Sequence, residues 1–208
     1  MIGKNVVTDF SPVAVSPKID PTAYVHPMGV CIGNVTLGSR TFVAPLGAVR
    51  GDEGQPIYIG ADSNVQDGCV VHGLETESHG KPVEAHRVTG PDGKPYSVYI
   101  GDRVSMAHQS QVHGPAKIGN DTFLAMGCLI FKGEVGNNCV VEPGAKVLGG
   151  AKVPDGRYVP ANSIIATQEA ADNLPVITDD YPLKTLNKGV VHVNTSLATG
   201  YNKEQPLG

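Results

Sequence analysis

Apolar residues recur along this chain at intervals of six. From Ile19 the step reaches Val25, Cys31, Leu37, Val43 and Val49, and after a ten-residue step Ile59, Val65 and Val71. A 29-residue step leads to Ile100, Met106, Val112, Ile118, Leu124 and Ile130, and a five-residue step to Val135, Val141, Val147, Val153, Val159 and Ile165. Four residues beyond most of them stands a small side chain, as at Ala23, Gly29, Thr41, Gly47, Ser63, Cys69, Ser110, Thr122, Cys128, Cys139, Ala145 and Ser163. A period of six fits neither a helix nor a simple strand alternation, but it suits a short strand and a tight turn, repeated. Three such segments close one triangular coil of 18 residues, so these 21 positions predict an all-β solenoid, a parallel β-helix of about seven triangular coils. At ~4.8 Å per coil it stands roughly 34 Å tall, with the apolar columns pointing to the axis.

Two interruptions break the period. Asp52 to Gln55 adds four residues to one turn, and Leu74 to Tyr96 adds a long loop containing Glu75, Glu77, His79, Glu84, His86 and the turn signal Pro91-Asp92-Gly93. Long loops on a rigid scaffold usually carry function. After Ile165 the period stops. Thr167 to Leu174 reads as a short helical turn. From Thr178 the spacing of Leu183, Leu186, Val190, Val193, Leu197 and Tyr201 is helical, which predicts a C-terminal α-helix packed along the prism. The organisation expected is an N-terminal extension (1–18), a β-helix domain (19–166, with its insertion at 74–96) and a C-terminal helical segment (167–208).

Composition narrows the function. Gly 26 and Pro 16 suit a turn-rich solenoid, and 40% hydrophobic residues suffice for a core. No run reaches the ~20 apolar residues of a membrane span, and Met1 to Phe10 carries no signal-peptide pattern, so a cytoplasmic protein without membrane partners is expected. The net charge of -4 gives no basic stripe, which disfavours nucleic acid. The four cysteines form no CxxC pair. Cys69, Cys128 and Cys139 fall in the small corner slot and Cys31 in an axial slot, so all four read as structural.

Placing the coils in register singles out three histidines. Ile57 through Gly73 aligns with Val98 through Gly114, so His72 and His113 follow the third axial position of consecutive coils and stack about 4.8 Å apart in backbone. Two imidazoles so placed can share a metal at ~2.0–2.1 Å from each nitrogen. Arg50 takes the same slot one coil earlier. His108 lies five residues before His113, about 16 Å of extended chain, too far to join the same ion easily. An identical prism packing its second corner against this third corner would bring a His108 beside the pair. Such a head-to-tail contact must close into a ring, and three is the natural number for a three-cornered prism. A lone histidine on a solenoid surface is ordinarily just solvated, but three in two adjoining columns, two of them in register, point to a metal. Three neutral imidazoles leave a fourth position for water, the pattern of a catalytic metal. His26 reads as surface, and His79 and His86 show no ligand geometry.

The segments Arg50-Gly51-Asp52-Glu53-Gly54, Asn64-Val65-Gln66-Asp67-Gly68, Val71-His72 and Ala107 through Pro115 resemble the gamma-class carbonic anhydrases, in the archaeal type that keeps an acidic loop. The resemblance runs from about Ile19 to Tyr201 and implies a left-handed coil. It implies reversible hydration of CO2 to bicarbonate by metal-bound hydroxide, in a homotrimer with one Zn2+ per site, with Fe2+ or Co2+ as alternatives that imidazole ligands also suit. By the same resemblance His72, His108 and His113 match the metal ligands. Glu53 and Gln66 match residues contacting the metal-bound water and the CO2 or bicarbonate, and Asn64 and Asn194 match hydrogen-bonding residues of the site. Arg50 matches an interface arginine, with Asp52 and Asp67 its polar partners; an interface ion-pair network without catalytic duty accounts for these three equally well. Glu75 matches the proton-shuttle glutamate.

The chain departs from the family's pattern at His79-Gly80, where the family has an acidic pair, and at His192, where it has a tyrosine. His79 and His192 are therefore alternative relays to Glu75, their intrinsic pKa near 6.5 suiting the task. The chain also resembles the N-terminal domain of the carboxysome scaffold protein. Two other functions are carried along: a hexapeptide-repeat acyltransferase, and a carbonic-anhydrase-like assembly module with little activity.

Overall fold

A computed structural model describes residues 1–205 of the chain; the last three positions of the expected C-terminal segment lie outside the described residues. Three parallel sheets wrap a common axis, with eight strands on one face and seven on each of the other two. The first face carries the column from Ile19 to Val153, the second the column from Val25 to Val159, and the third the column from Cys31 to Ile165. Every axial residue except the half-buried Ile19 is buried in one continuous core. Each Val, Ile or Leu so buried contributes roughly 1.5–3 kcal/mol.

The solenoid is longer by one strand than the six-residue period predicts. Ile2–Gly3 joins the third face, with Ile2 opposite Cys31. This strand of the N-terminal extension is exposed or half-buried and has no following repeat, so the period carries no trace of it.

The corners explain why a six-residue unit turns so sharply. Three residues beyond many axial positions the backbone is left-handed, as at Arg40 (φ 52), Asp62 (φ 59), Arg103 (φ 55), Asp121 (φ 58), Gln109 (φ 60) and Asn138 (φ 52). Asn and Asp tolerate that region better than most residues, and the others are held by their coil. At the first corner a side-chain ladder satisfies the turn amides. Asp102, Asn120, Asn137 and Asp155 each accept, through Oδ1, the N–H of the corner before it, every bond 2.8 Å long. Arg40–Asp62 and Arg103–Asp121 pair alongside. The sequence carried a signal for this ladder: an Asx residue follows Gly at Gly101-Asp102, Gly119-Asn120 and Gly136-Asn137.

Both insertions leave the prism at its third corner, in consecutive coils. The longer one is built rather than loose. It holds two antiparallel hairpins, Glu77–Ser78 with Lys81–Pro82 and Val88–Thr89 with Pro95–Tyr96, joined by a 3-10 turn over Glu84–His86. The C-terminal segment forms α1 (Gln168–Asp172), N-capped by the Thr167 hydroxyl, and α2 (Leu186–Glu204). Helix α2 starts eight residues later than the spacing suggests. Residues 178–185 turn instead, placing Tyr181 against Tyr158 at 4.4 Å. The helix lies along the second face and buries Asn194 and Ala198. Among the described residues no helix is long and apolar enough to cross a membrane.

All four cysteines are free and buried. Burial pushes the Cys31 and Cys128 thiols up to about 12 and Cys139 up to about 11. Such thiols stay protonated and inert, in keeping with a structural role.

Candidate metal centre

Parallel pairing puts His72 opposite His113 on one side and opposite Arg50 on the other. The two imidazoles meet nearly edge to face, with centroids 5.2 Å apart. His72 Nδ1 stands 3.4 Å from His113 Nε2. Nδ1 of His113 lies 3.2 Å from the Gly114 carbonyl, to which it donates as Nδ1–H, leaving Nε2 a lone pair. At the far side of the His72 ring, Nε2 lies 3.2 Å from Asp52 Oδ1 and 3.2 Å from Glu53 Oε1. With Nε2 donating to those carboxylates, Nδ1 presents a lone pair, whereas Arg50 Nη2, 3.1 Å from the same Nε2, can only donate to it and calls for the other tautomer. In the first tautomer two lone pairs face each other, an arrangement that a cation between them satisfies. Two nitrogens at ~2.0–2.1 Å from a tetrahedral ion stand about 3.4 Å apart, so the pair fits a divalent metal. Burial, and after it the Arg50 charge, lowers the His72 pKa and keeps the ring in its neutral, ligating form.

Asp52, Glu53 and His72 also bring one ligand atom each within 4.8 Å of one another. Arg50 argues against a cation inside that trio. Its Nη2 is 3.1 Å from the same His72 Nε2 and its Nε bonds Asp52 at 3.2 Å. The guanidinium already supplies the positive charge, and the carboxylates act as partners that orient the histidine. Glu53 is half-buried, and its pKa is raised by burial first and then by the charges of Asp52 and Glu75, with Arg50 opposing.

His108 stands elsewhere. It follows the second face, its Nδ1 2.9 Å from Asp67 Oδ2, and among the described residues it joins no ligand cluster within the chain. Around it opens a groove of 670 Å³. One wall is Phe42, Ala44 and Pro45, the other Leu186, Val193 and Leu197 of α2, and Gln66, Asp67, His108 and Asn194 line it too. Gln66 is oriented from beneath: its Nε2 donates to Asn64 Oδ1 at 2.9 Å, and Asn64 Nδ2 donates to Ser105 Oγ at 2.9 Å. Asn64 is wholly buried and Asn194 nearly so.

The remaining expected residues divide. Glu75 is half-buried beside the acidic pair, close enough for its charge to raise Glu53. His79 is exposed, 3.9 Å from Asp9. His192 is exposed on α2 and does not line the groove. His192 and Asn194 are two positions apart, about 200° around the helix, so His192 points away when Asn194 faces the groove.

Sequence reading missed Thr76, Arg87 and Ser105. Thr76 Oγ1 donates to the Glu53 carbonyl at 3.1 Å and accepts the Gln55 N–H at 2.6 Å, tying the two insertions together. No repeat marks Thr76 or Arg87, which lie in the long insertion; Ser105 falls opposite Asn64 in the aligned coils, and that register was the signal for it.

A solenoid of six-residue turns with a helix along one face defines the hexapeptide-repeat class. A hexapeptide transferase family protein of Anaplasma phagocytophilum shares the fold at a TM-score of 0.68 and 23% identity, over 90% of this chain and 93% of that one. The chain is 50% identical over 203 residues to a carbonic anhydrase of Methanosarcina thermophila, covering 97% of this chain and 81% of that protein. It therefore belongs to the gamma-class carbonic anhydrase family. It is also 36% identical, over 93% of its length, to the carboxysome assembly protein CcmM of a Nostoc species, of which it spans about a third. No family model matches the chain.

Proposed function

We propose that this protein catalyses the reversible hydration of CO2 to bicarbonate at three equivalent sites between the subunits of a homotrimer. The observation that carries this reading is the His72–His113 pair, two imidazole nitrogens 3.4 Å apart in register on one face. His108 of a neighbouring subunit completes the ligand set, since within one chain it stands at the edge of an apolar groove on the next corner. A divalent ion held there, Zn2+ or alternatively Fe2+ or Co2+, supplies the Lewis acidity that brings the pKa of a water near 7.

The chain's own residues do the rest. Asp52 and Glu53 hold His72 in the ligating tautomer, and Asp67 orients His108. Gln66, fixed by Asn64 and Ser105, orients the nucleophile and product from the groove, with Asn194 opposite. The apolar walls admit CO2 and exclude bulk water. Glu53 passes the released proton toward Glu75, which hands it to buffer. Arg50 offsets the repulsion among the Asp52, Glu53 and Glu75 carboxylates.

Anaerobic metal analysis combined with a CO2 hydration assay tests the reading; a trimer free of metal and inactive toward CO2 would sink it. The cross-subunit ligand has its own test. His108→Ala and His72→Ala chains are each inactive, but mixing them in one trimer restores some sites, because an intact His108 then faces an intact pair. If mixing never restores activity, the three ligands do not come from two chains. A second reading, an assembly module with little activity, is favoured by the relative named as a carboxysome assembly protein. A metal-loaded trimer that does not hydrate CO2 would select it.

A further inference from the structure

The long insertion carries Glu75 but no axial residue, so something other than the core must hold it. Its outer hairpin is docked on the first face by three tyrosines. Tyr96 packs edge-on against Tyr58 and Tyr99, with centroids 6.2 and 5.3 Å away, and Lys117 Nζ reaches the Thr89 carbonyl at 3.2 Å. That anchorage fixes the residues just before the hairpin. Arg87, whose side chain is only 13% exposed, turns back and donates twice to the Thr76 carbonyl, through Nε at 3.2 Å and Nη2 at 2.7 Å. The Val83 N–H reaches the same oxygen at 2.9 Å. His86 Nδ1 donates to the Glu75 carbonyl at 2.7 Å. Thr76 in turn grips the Glu53 carbonyl with both its N–H and its hydroxyl, each at 3.1 Å.

We infer that Arg87 is a positioning residue for proton export. Its planar fork, braced by the tyrosine-anchored hairpin, fixes the Glu75–Thr76 segment and through Thr76 the bend that carries Glu53. Nothing else in the loop competes for its Nε and Nη2 donors, and its Nη1 is held by Glu84 at 3.2 Å. Two bonds from one rigid fork to one carbonyl define an orientation that a lysine, a single point donor, cannot reproduce. The inference rests on the reading of Glu75 as the relay.

The test uses the full-length, metal-loaded protein and its Arg87→Ala and Arg87→Lys variants. Arg87→Ala is expected to lower kcat for CO2 hydration about tenfold in weak buffer, with kcat/KM nearly unchanged. The CO2 step does not wait on proton export, and added imidazole should restore the rate. Arg87→Lys should fall between the two. Metal content and subunit number stay as in the parent. Amide hydrogen exchange at Gln55 and Thr76 should quicken in Arg87→Ala. Unaltered kcat in an active variant overturns the inference, as does an equal loss in kcat and kcat/KM accompanied by loss of metal or trimer. If the parent itself fails to hydrate CO2, the proposed function falls. The exchange arm then decides alone whether Arg87 fixes the segment, and unchanged exchange rejects it.

Discussion

The coils and the long insertion are held together by different means. In a coil, every residue of the axial column stacks on the same column above and below, and strand pairing repeats that register from Ile2 to Ile165. In the insertion, residues 74–96 contribute no buried axial side chain. They are held by a carbonyl with three donors, a threonine with three hydrogen bonds and a cluster of tyrosines. Repetition makes the first kind of structure tolerant in register and intolerant of cavities. The second kind depends on a few polar contacts, each replaceable only by a side chain of the same shape. The His72–His113 pair sits on the coils, and Glu75 on the insertion.

The sharpest separation is chemical. His113→Ala, on a coil face, should bring CO2 hydration to the uncatalysed background and remove the metal, while circular dichroism and subunit number stay unchanged. A variant that keeps its metal would show that the coil does not hold the ligands alone.

Core truncation comes next. Ile100→Ala, between Ile59 and Ile118 on the first face, should cost about 2–5 kcal/mol in denaturant unfolding. The half-buried Val83→Ala in the insertion should cost under about 1 kcal/mol. Equal costs would erase the distinction between the two regions.

At the seam, Thr76→Val keeps the shape but leaves the part-buried Gln55 N–H without its acceptor. It should cost about 1–3 kcal/mol and show as faster exchange confined to residues 53–55 and 74–77. Exchange that quickens throughout the coils would mean the insertion is part of the core.

The smallest effect is at the tyrosine anchor. Burial, then the hydrogen bond to Asp92, pushes the Tyr96 phenol up to about 12 from its ordinary value near 10. The folded state therefore holds a proton that the unfolded chain releases first. The stabilisation is complete below pH 10 and is lost as the pH rises toward 12. Tyr24, Tyr58, Tyr99 and Tyr181 are raised as well, so ultraviolet titration should show several late-titrating tyrosines, one of which Tyr96→Phe removes; a variant with the parent's titration curve would place the anchor elsewhere.

The six-residue period, by itself, determined the prism. The axial column from Val25 onward is buried as the spacing requires, because a side chain repeated once per face has only the axis to point to. The register that stacks His72 on His113 was readable for the same reason: equal spacing in two coils means adjacency in space. Tertiary structure alone decided what spacing does not encode. It added the Ile2–Gly3 strand, which has no repeat behind it, and delayed α2 to Leu186, where Tyr181 had first to reach Tyr158. It brought Arg87 to Thr76 across 11 positions of chain, and Thr76 to Glu53 across 23. Such contacts depend on where a fold returns the chain. A periodic sequence announces its period, and a hydrogen bond between two unrelated segments announces nothing until the coils have closed.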